Sequence, residues 1–285
     1  MKNNQLEKKQ VENVEVTYKK IQVKGLKERY TFLHITDSHL SNFGPAETAE
    51  RAEYGKWRVE MFSKDGIVSE ERFRTYVDFA NQENVSAVLL TGDIVDFPSP
   101  ENMTALKNML AELKMPYIYA LGNHDWSYFN DVFEEDANVQ RRQQFRSLCG
   151  GDEDFHIKTI GELTFVVLDN TTNMYRPNTE NRLREAVEQY NNIIILQHIP
   201  LYCETLHEDT VEYWKADLNL GGKGTVLDDS ADNVLKILTA SPTVKAIICG
   251  HLHFAHEDLL DGILPQYVTA LSSYGAVTLF EISGS

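Results

Sequence analysis

Five short segments carry the residues best able to do chemistry. They are Asp37-Ser38-His39, Gly92-Asp93-Ile94-Val95-Asp96, Gly122-Asn123-His124-Asp125, His198-Ile199-Pro200 and Gly250-His251-Leu252-His253. Five of the nine histidines fall in them. Imidazole, carboxylate and amide oxygen together form the donor mixture of a borderline divalent cation such as Mn²⁺, Fe²⁺ or Zn²⁺. None of the three cysteines (Cys149, Cys203, Cys249) lies in a segment, which argues against a sulfur-bound structural zinc. At least seven metal-competent side chains are too many for one tetrahedral ion and suit two ions sharing a carboxylate. Carboxylates gathered without cations would repel one another.

Such chemistry needs a scaffold that brings distant segments to one place. Each segment follows an apolar run. The runs at 31–36, 85–91, 116–121, 193–197 and 244–249 read as short strands, mostly buried on both faces, and 163–168 reads the same way. Segment 14–23 alternates apolar and polar residues and fits an early strand pair or hairpin within residues 1–30. Residues 267–271 and 276–282 read as a closing strand pair. Helical patterns fall between the strands. Ser69 can cap a helix with Phe73, Tyr76, Val77 and Ala80 inward. Ser99-Pro100 opens another, with Leu106, Met109, Leu110 and Leu113 inward, and 182–190 and 231–239 are two more. This alternation predicts an α/β fold, in which the carboxyl ends of strands form the ligand crevice.

The five blocks, in this order, resemble the calcineurin-like metallophosphoesterase superfamily. Its pattern is D-x-H, G-D-x-x-D, G-N-H-D/E, a lone His, then G-H-x-H. Every ligand position of that pattern is filled between Asp37 and His253. One block alone is weak; five in order, each at a strand end, are specific.

The resemblance implies a four-layer αββα sandwich of two mixed sheets flanked by helices, spanning residues 1–285 as a single domain. It implies two divalent ions, each Mn, Fe or Zn. Asp37, His39 and His253 would hold the first, Asn123, His198 and His251 the second, and Asp93 would bridge both. A hydroxide shared by the ions would attack phosphorus in line. The neutral oxygen of Asn123 would limit negative charge where an anion must enter. His124 would protonate the leaving group, and Asp96 would hydrogen-bond that imidazole and fix its orientation.

The expected activity is hydrolysis of small phosphate diesters, because His124 can assist a poor alkoxide leaving group. A phosphomonoesterase or protein phosphatase is the alternative. A non-catalytic scaffold is less favoured, since no ligand is missing. Residues 91–97 contain no tyrosine, which disfavours the purple acid phosphatase type. The His124 position, often Arg in the lipid-precursor pyrophosphatases, disfavours that branch.

Composition bounds the rest. The 285 residues include 27 Lys+Arg and 43 Asp+Glu, a net charge of −16. That balance opposes generic nucleic-acid binding, which depends on basic residues neutralising phosphates. With 42% hydrophobic and 25% charged residues the chain is a folded globular one. No apolar run is long enough for a membrane span, and three cysteines do not make a disulfide framework. A cytoplasmic enzyme is the expectation, with no membrane partner and an open oligomeric state.

Two long stretches, 40–68 and 201–227, resist assignment and are candidate substrate-pocket insertions. His34 reads as a satisfied core histidine, and His156 and His256 as surface or supporting residues. Trp126, Tyr128 and Phe129 read as core packing, with an aromatic substrate wall as the other possibility.

Overall fold

The computed structural model describes residues 8–11, 13–45, 47–128, 135–218, 220–221 and 229–285. Phe129, residue 46 of the first long stretch and residues 219 and 222–227 of the second lie outside these residues.

Alternating burial along the strands sets the architecture. Numbered in chain order, one sheet contains β1 (Lys8–Val11), β2 (Val14–Val23), β3 (Tyr30–Ile35), β4 (Ala87–Thr91), β5 (Tyr117–Ala120) and β12 (Ala276–Gly284). The other contains β6 (Phe155–Ile160), β7 (Leu163–Leu168), β8 (Ile193–Leu196), β9 (Val244–Cys249), β10 (His256–Leu260) and β11 (Leu264–Val268). Their spatial orders are β1-β2-β12-β3-β4-β5 and β10-β11-β9-β8-β7-β6. Both sheets are mixed: β3, β4 and β5 run parallel, as do β7, β8, β9 and β11.

Phe32, Leu89, Ile118 and Phe280 of the first sheet meet Phe165, Ile194, Leu196 and Ile248 of the second in one buried cluster. The opposite faces are covered by helices. Leu33, Ile35, Val88 and Leu90 pack with Phe73 and Tyr76 of α2 (Ser69–Glu83) and Leu106 and Met109 of α3 (Pro100–Ala111). Val166, Ile195 and Ile247 pack with Leu183 of α6 (Thr179–Gln189) and with Val234 and Ile237 of α8 (Ser230–Ala240). The result is the four-layer αββα sandwich. Each fully buried Leu, Ile or Phe adds about 1.5–3 kcal/mol of apolar burial.

The remaining helices are α1 (Ala49–Phe62), α4 (Asn123–Trp126), α5 (Glu135–Gln143) and α7 (Glu204–Trp214). Thus both unassigned stretches contain a helix. Thr48 caps α1 by accepting from the Arg51 N–H at 3.3 Å.

Two expectations need correction. The two C-terminal strands do not pair: a 3-10 turn at Ser272–Tyr274 carries the chain from β11 in one sheet to β12 in the other. Ser69 is not a cap but the first residue of α2, and its hydroxyl donates to the Phe62 carbonyl instead. The hairpin expected within residues 1–30 forms, with segment 14–23 as one strand and Lys8–Val11 as its partner. Ser99 does cap α3, accepting from the Asn102 N–H at 3.0 Å ahead of Pro100.

Candidate metal centre

The chain does not stop pairing where β3 and β4 end. The Asp37 N–H donates to the Gly92 carbonyl at 3.0 Å, His39 N–H to Asp93 at 2.9 Å and Leu40 N–H to Ile94 at 2.9 Å. The first two catalytic-type segments therefore run side by side. The third approaches so closely that a Cβ on Gly122 would lie 2.1 Å from the Asp93 nitrogen. A Cβ on Gly250 would lie 2.5 Å from Asp37 Oδ2, so glycine lets the fifth segment close over the first. The Asp125 carboxylate accepts N–H groups of Gly122 (2.7 Å), Val95 (3.0 Å) and Asp93 (3.2 Å) and ties two segments together. Burial, followed by the nearby Asp93, raises its pKa to about 7.

Five of these residues have left-handed backbone: Asp37 (φ 52°), His39 (46°), Asp93 (51°), His251 (74°) and His253 (66°). Such conformations are uncommon for residues with a side chain, and they gather where surrounding structure holds functional groups in place.

The side chains converge. The Nε2 atoms of His39 and His253 are 3.1 Å apart. Asp37 Oδ1 lies 3.4 Å from His253 Nε2 and 4.0 Å from His39 Nε2. Asp37 Oδ2 is engaged by the His251 N–H at 3.0 Å and the Thr36 hydroxyl at 2.8 Å, which leaves Oδ1 facing the imidazoles. Asp93 Oδ1 accepts the His124 N–H at 2.7 Å, while Oδ2 lies 3.1 Å from His198 Nε2. His198 Nδ1 donates to the Thr91 carbonyl at 2.7 Å, and its ring centroid is 5.1 Å from that of His251. Asp37, His39 and His253 form one group whose ligand-type atoms all lie within 4.8 Å of one another; Asp37, Asp93 and His198 form another.

Asp37 Oδ1, Asn123 Oδ1, His198 Nε2 and His251 Nε2 are buried with no hydrogen-bond partner among the described residues. Buried polar atoms in native proteins are almost always satisfied. Three of these atoms are electron-pair donors and His198 Nε2 becomes one when it gives up its proton, so divalent cations fit as their missing partners.

The electrostatics agree. Burial lowers His251 to about 3 and His39 to about 4, the latter against the pull of Asp96. Both are neutral at pH 7 with lone pairs to offer. Burial pushes Asp37 up, but His253 and His198 outweigh it and hold the carboxyl at about 2. His198 is also buried, yet Asp93 raises it to about 9, so cations compete there with a proton.

Asp96 is not simply the partner of His124. Its Oδ1 accepts His39 Nδ1 at 2.8 Å, and its two oxygens take a bidentate contact from Arg58 of α1. His124 Nδ1 donates instead to the Asp96 backbone carbonyl at 3.2 Å, with Oδ1 at 3.3 Å. His124 also approaches His39 and Asp93 within ligand range. Exposure separates it from them: its side chain is 31% exposed, whereas Asp37, His39 and His198 are fully buried.

Arg58 and Phe62 belong to no motif, and nothing local in the sequence marks them. His34 is a satisfied core histidine, bonded to the Thr269 and Thr91 hydroxyls at 2.7 Å each. Trp126 is core, donating to Thr171. His156 is half-buried on the Asp152 carbonyl. His256 belongs to a separate cluster.

An αββα sandwich with Asp, Asn and His side chains converging at strand ends is the architecture of a metal-dependent hydrolase. The sequence profile of the calcineurin-like phosphoesterase family matches residues 30–255, all five segments included, and the chain belongs to that family. It is a metal-dependent phosphoesterase. Among solved structures, a dimetal phosphatase from Danio rerio aligns with a TM-score of 0.55 and 15% identity over 86% of this chain and 88% of that one. A purple acid phosphatase from yellow lupin (Lupinus luteus) seeds aligns with a TM-score of 0.53 and 13% identity, covering 92% of this chain and 47% of that one. At such identities the likeness is one of fold. No curated protein sequence matches the chain significantly. No helix among the described residues is long and apolar enough to cross a membrane.

Proposed function

We propose that the chain is a dinuclear metal-dependent phosphodiesterase of small phosphate diesters. The observation that carries this is the convergence of the unpartnered Asp37, Asn123, His198 and His251 atoms with His39, Asp93 and His253. In this reading Asp37, His39 and His253 hold one ion, Asn123, His198 and His251 the other, and Asp93 serves both. When bound, two divalent ions offset phosphate charge and make a water acidic enough to supply the nucleophile. Their identity stays among Mn, Fe and Zn, which this donor set accepts.

The protein's own groups do the rest. Asn123 contributes an uncharged oxygen and keeps the entrance less anionic. His124, anchored through Nδ1 on the Asp96 carbonyl and 31% exposed, is placed to protonate the departing alkoxide. Asp96 is a positioning residue for His39 through its carboxylate and for His124 through its backbone.

The rim supports a substrate with organic groups on phosphorus. Tyr213 and Trp214 of α7 are exposed, and the Trp214 ring lies 5.3 Å from that of His253. Each long stretch thus sets a ring against a proposed ligand, Phe62 on His39 and Trp214 beside His253. Three unpaired cysteines support a reducing, cytoplasmic setting.

The test is hydrolysis by metal-stripped protein with each ion restored, on bis(p-nitrophenyl) phosphate and p-nitrophenyl phosphate in parallel. Metal-dependent cleavage favouring the diester is expected. Preference for the monoester makes a phosphatase the better reading. No cleavage of either with two ions bound removes the assignment in favour of a scaffold.

A further inference from the structure

A second group of metal-type donors lies apart from the centre described above. Cys203 directly precedes α7, and His256 and Asp258 are alternate residues of the edge strand β10. The two-residue period of a strand points both β10 side chains the same way. The ligand atoms of the three residues lie within 4.8 Å of one another.

His256 is the informative member. Its side chain is 9% exposed. Its Nδ1 lies 2.8 Å from Asp209 Oδ2 on α7, a donor to that carboxylate. This fixes the neutral tautomer with its lone pair on Nε2. Nε2 is buried and has no hydrogen-bond partner among the described residues. It faces Asp258 Oδ2 at 3.6 Å, too far for a hydrogen bond. A carboxylate behind an imidazole whose other nitrogen is unpartnered is the arrangement that supports histidines bound to zinc.

The spacings fit an ion between the three donors. Zn–S near 2.3 Å and Zn–O or Zn–N near 2.0 Å, at a tetrahedral angle, separate sulfur from oxygen by about 3.5 Å and nitrogen from oxygen by about 3.3 Å. The structure has Cys203 Sγ 3.5 Å and His256 Nε2 3.6 Å from Asp258 Oδ2. The Thr205 hydroxyl also meets Asp258 Oδ2, so that oxygen is the focus of the cluster. Asp258 is 28% exposed on its side chain, which leaves a route of entry.

We propose that Cys203, His256 and Asp258 bind a third metal ion, a thiolate-accepting divalent cation of the zinc class, with Asp209 orienting His256. The ion staples the start of α7 to β10. Three protein ligands leave a fourth position for water. Binding replaces the thiol proton with the metal, and one proton goes to solvent. Without the ion, burial, and more weakly the Asp258 charge, raises the Cys203 thiol. The staple matters to the hydrolytic centre because α7 reaches it. Trp214 Nε1 donates to the Leu252 carbonyl at 3.0 Å, inside the Gly250–His253 segment. The two sites share no residue.

Sulfur supplies the test. Co²⁺ bound to thiolate gives a near-ultraviolet charge-transfer band, and the O/N donors of the dinuclear centre cannot. The full-length, metal-stripped protein is titrated with Co²⁺. The expected result is a one-thiolate band that saturates with one ion per chain beyond the two of the hydrolytic centre. Cys203→Ser abolishes it, with the far-ultraviolet circular dichroism unchanged. Asp209→Asn keeps the band but weakens Co²⁺ binding about 10–100-fold. Absence of the band at saturating Co²⁺ overturns the proposal. A band that survives Cys203→Ser also overturns it, because the sulfur is then Cys149 or Cys249.

Discussion

The ring of Phe62 lies flat on the imidazole of His39, with centroids 4.0 Å apart and planes within 1° of parallel. One turn earlier on α1, the Arg58 guanidinium sits over the Phe62 ring at 4.5 Å and grips Asp96. Asp96 in turn holds His39 Nδ1. One helix thus fixes this imidazole on its face directly and on its edge through a carboxylate. Burial pushes Asp96 up, but Arg58 and His39 outweigh it and hold it at about 2.

Arg58→Met should therefore cost both stability and metal. It leaves Asp96 buried without its main counter-charge, a loss of about 3–5 kcal/mol. Arg58→Lys should recover only part of this, since an ammonium cannot make the bidentate contact. Denaturation midpoints and metal content of the purified variants check it. A Met variant with native stability and full metal content would show that α1 does not hold His39 in place.

Asp93→Asn keeps the shape and the contact with the His124 N–H but removes the charge shared with His198. Metal should be lost from both positions, and hydrolysis with it. Elemental analysis beside a turnover assay reads this directly. Normal metal content with full activity would sink the assignment of Asp93 to two ions.

His124→Ala should retain metal and lower turnover according to the leaving group. An alkyl diester needs its proton and should slow by about 10²–10⁴-fold. A nitrophenyl diester, which leaves unaided, should slow far less. Equal losses on both would argue that the imidazole acts on phosphate rather than on the leaving oxygen.

His34 lies outside the proposed ligand set and gives a pH prediction of its own. Burial lowers it to about 3. An unfolded histidine titrates near 6.5. As pH falls below that value the unfolded chain takes up a proton that the folded chain refuses, so stability drops until about pH 3. Between pH 7 and pH 5 this amounts to about 2 kcal/mol. His34→Gln, less stable at neutral pH, should lose about that much less over the same interval. Urea titrations in chelator, which removes ion binding from the comparison, would show it. Parallel pH profiles for the two proteins would exclude the effect.

The strand ends were readable because they unite two local signals, an apolar run and an abrupt polar cluster. That was enough for β3, β4, β5, β8 and β9 and for the side chains gathered beyond them. The clamp on His39 was not readable. The buried residues of α1 are Gly55, Arg58 and Phe62, and only one is strongly apolar, so the helix shows no hydrophobic stripe. α7 buries Leu206 and Thr210 and is as faint. The Asp96 carboxylate was expected on His124 because the two are joined in the family pattern. Arg58 and His39, which compete for it, come from elsewhere in the chain. The separation of β11 from β12 was hidden for a related reason. Two strands a few residues apart suggest a hairpin, and only the partners waiting in different sheets decide otherwise.

The placement of β12 has a consequence for how the protein comes into being. It lies between β2 and β3, parallel to one and antiparallel to the other, with Val277 beside Val16 and Leu279 beside Leu33. It follows every other described strand in the chain. Until it is made, the strand leading to Asp37 and His39 has an unpaired edge, and its neighbours across the gap are more than 200 residues upstream of their partner. Pairing over such distances is slow and leaves the nascent chain open to association. Hydrolytic competence therefore waits until translation has passed β12, so a stalled or truncated product lacking β12 would be inert.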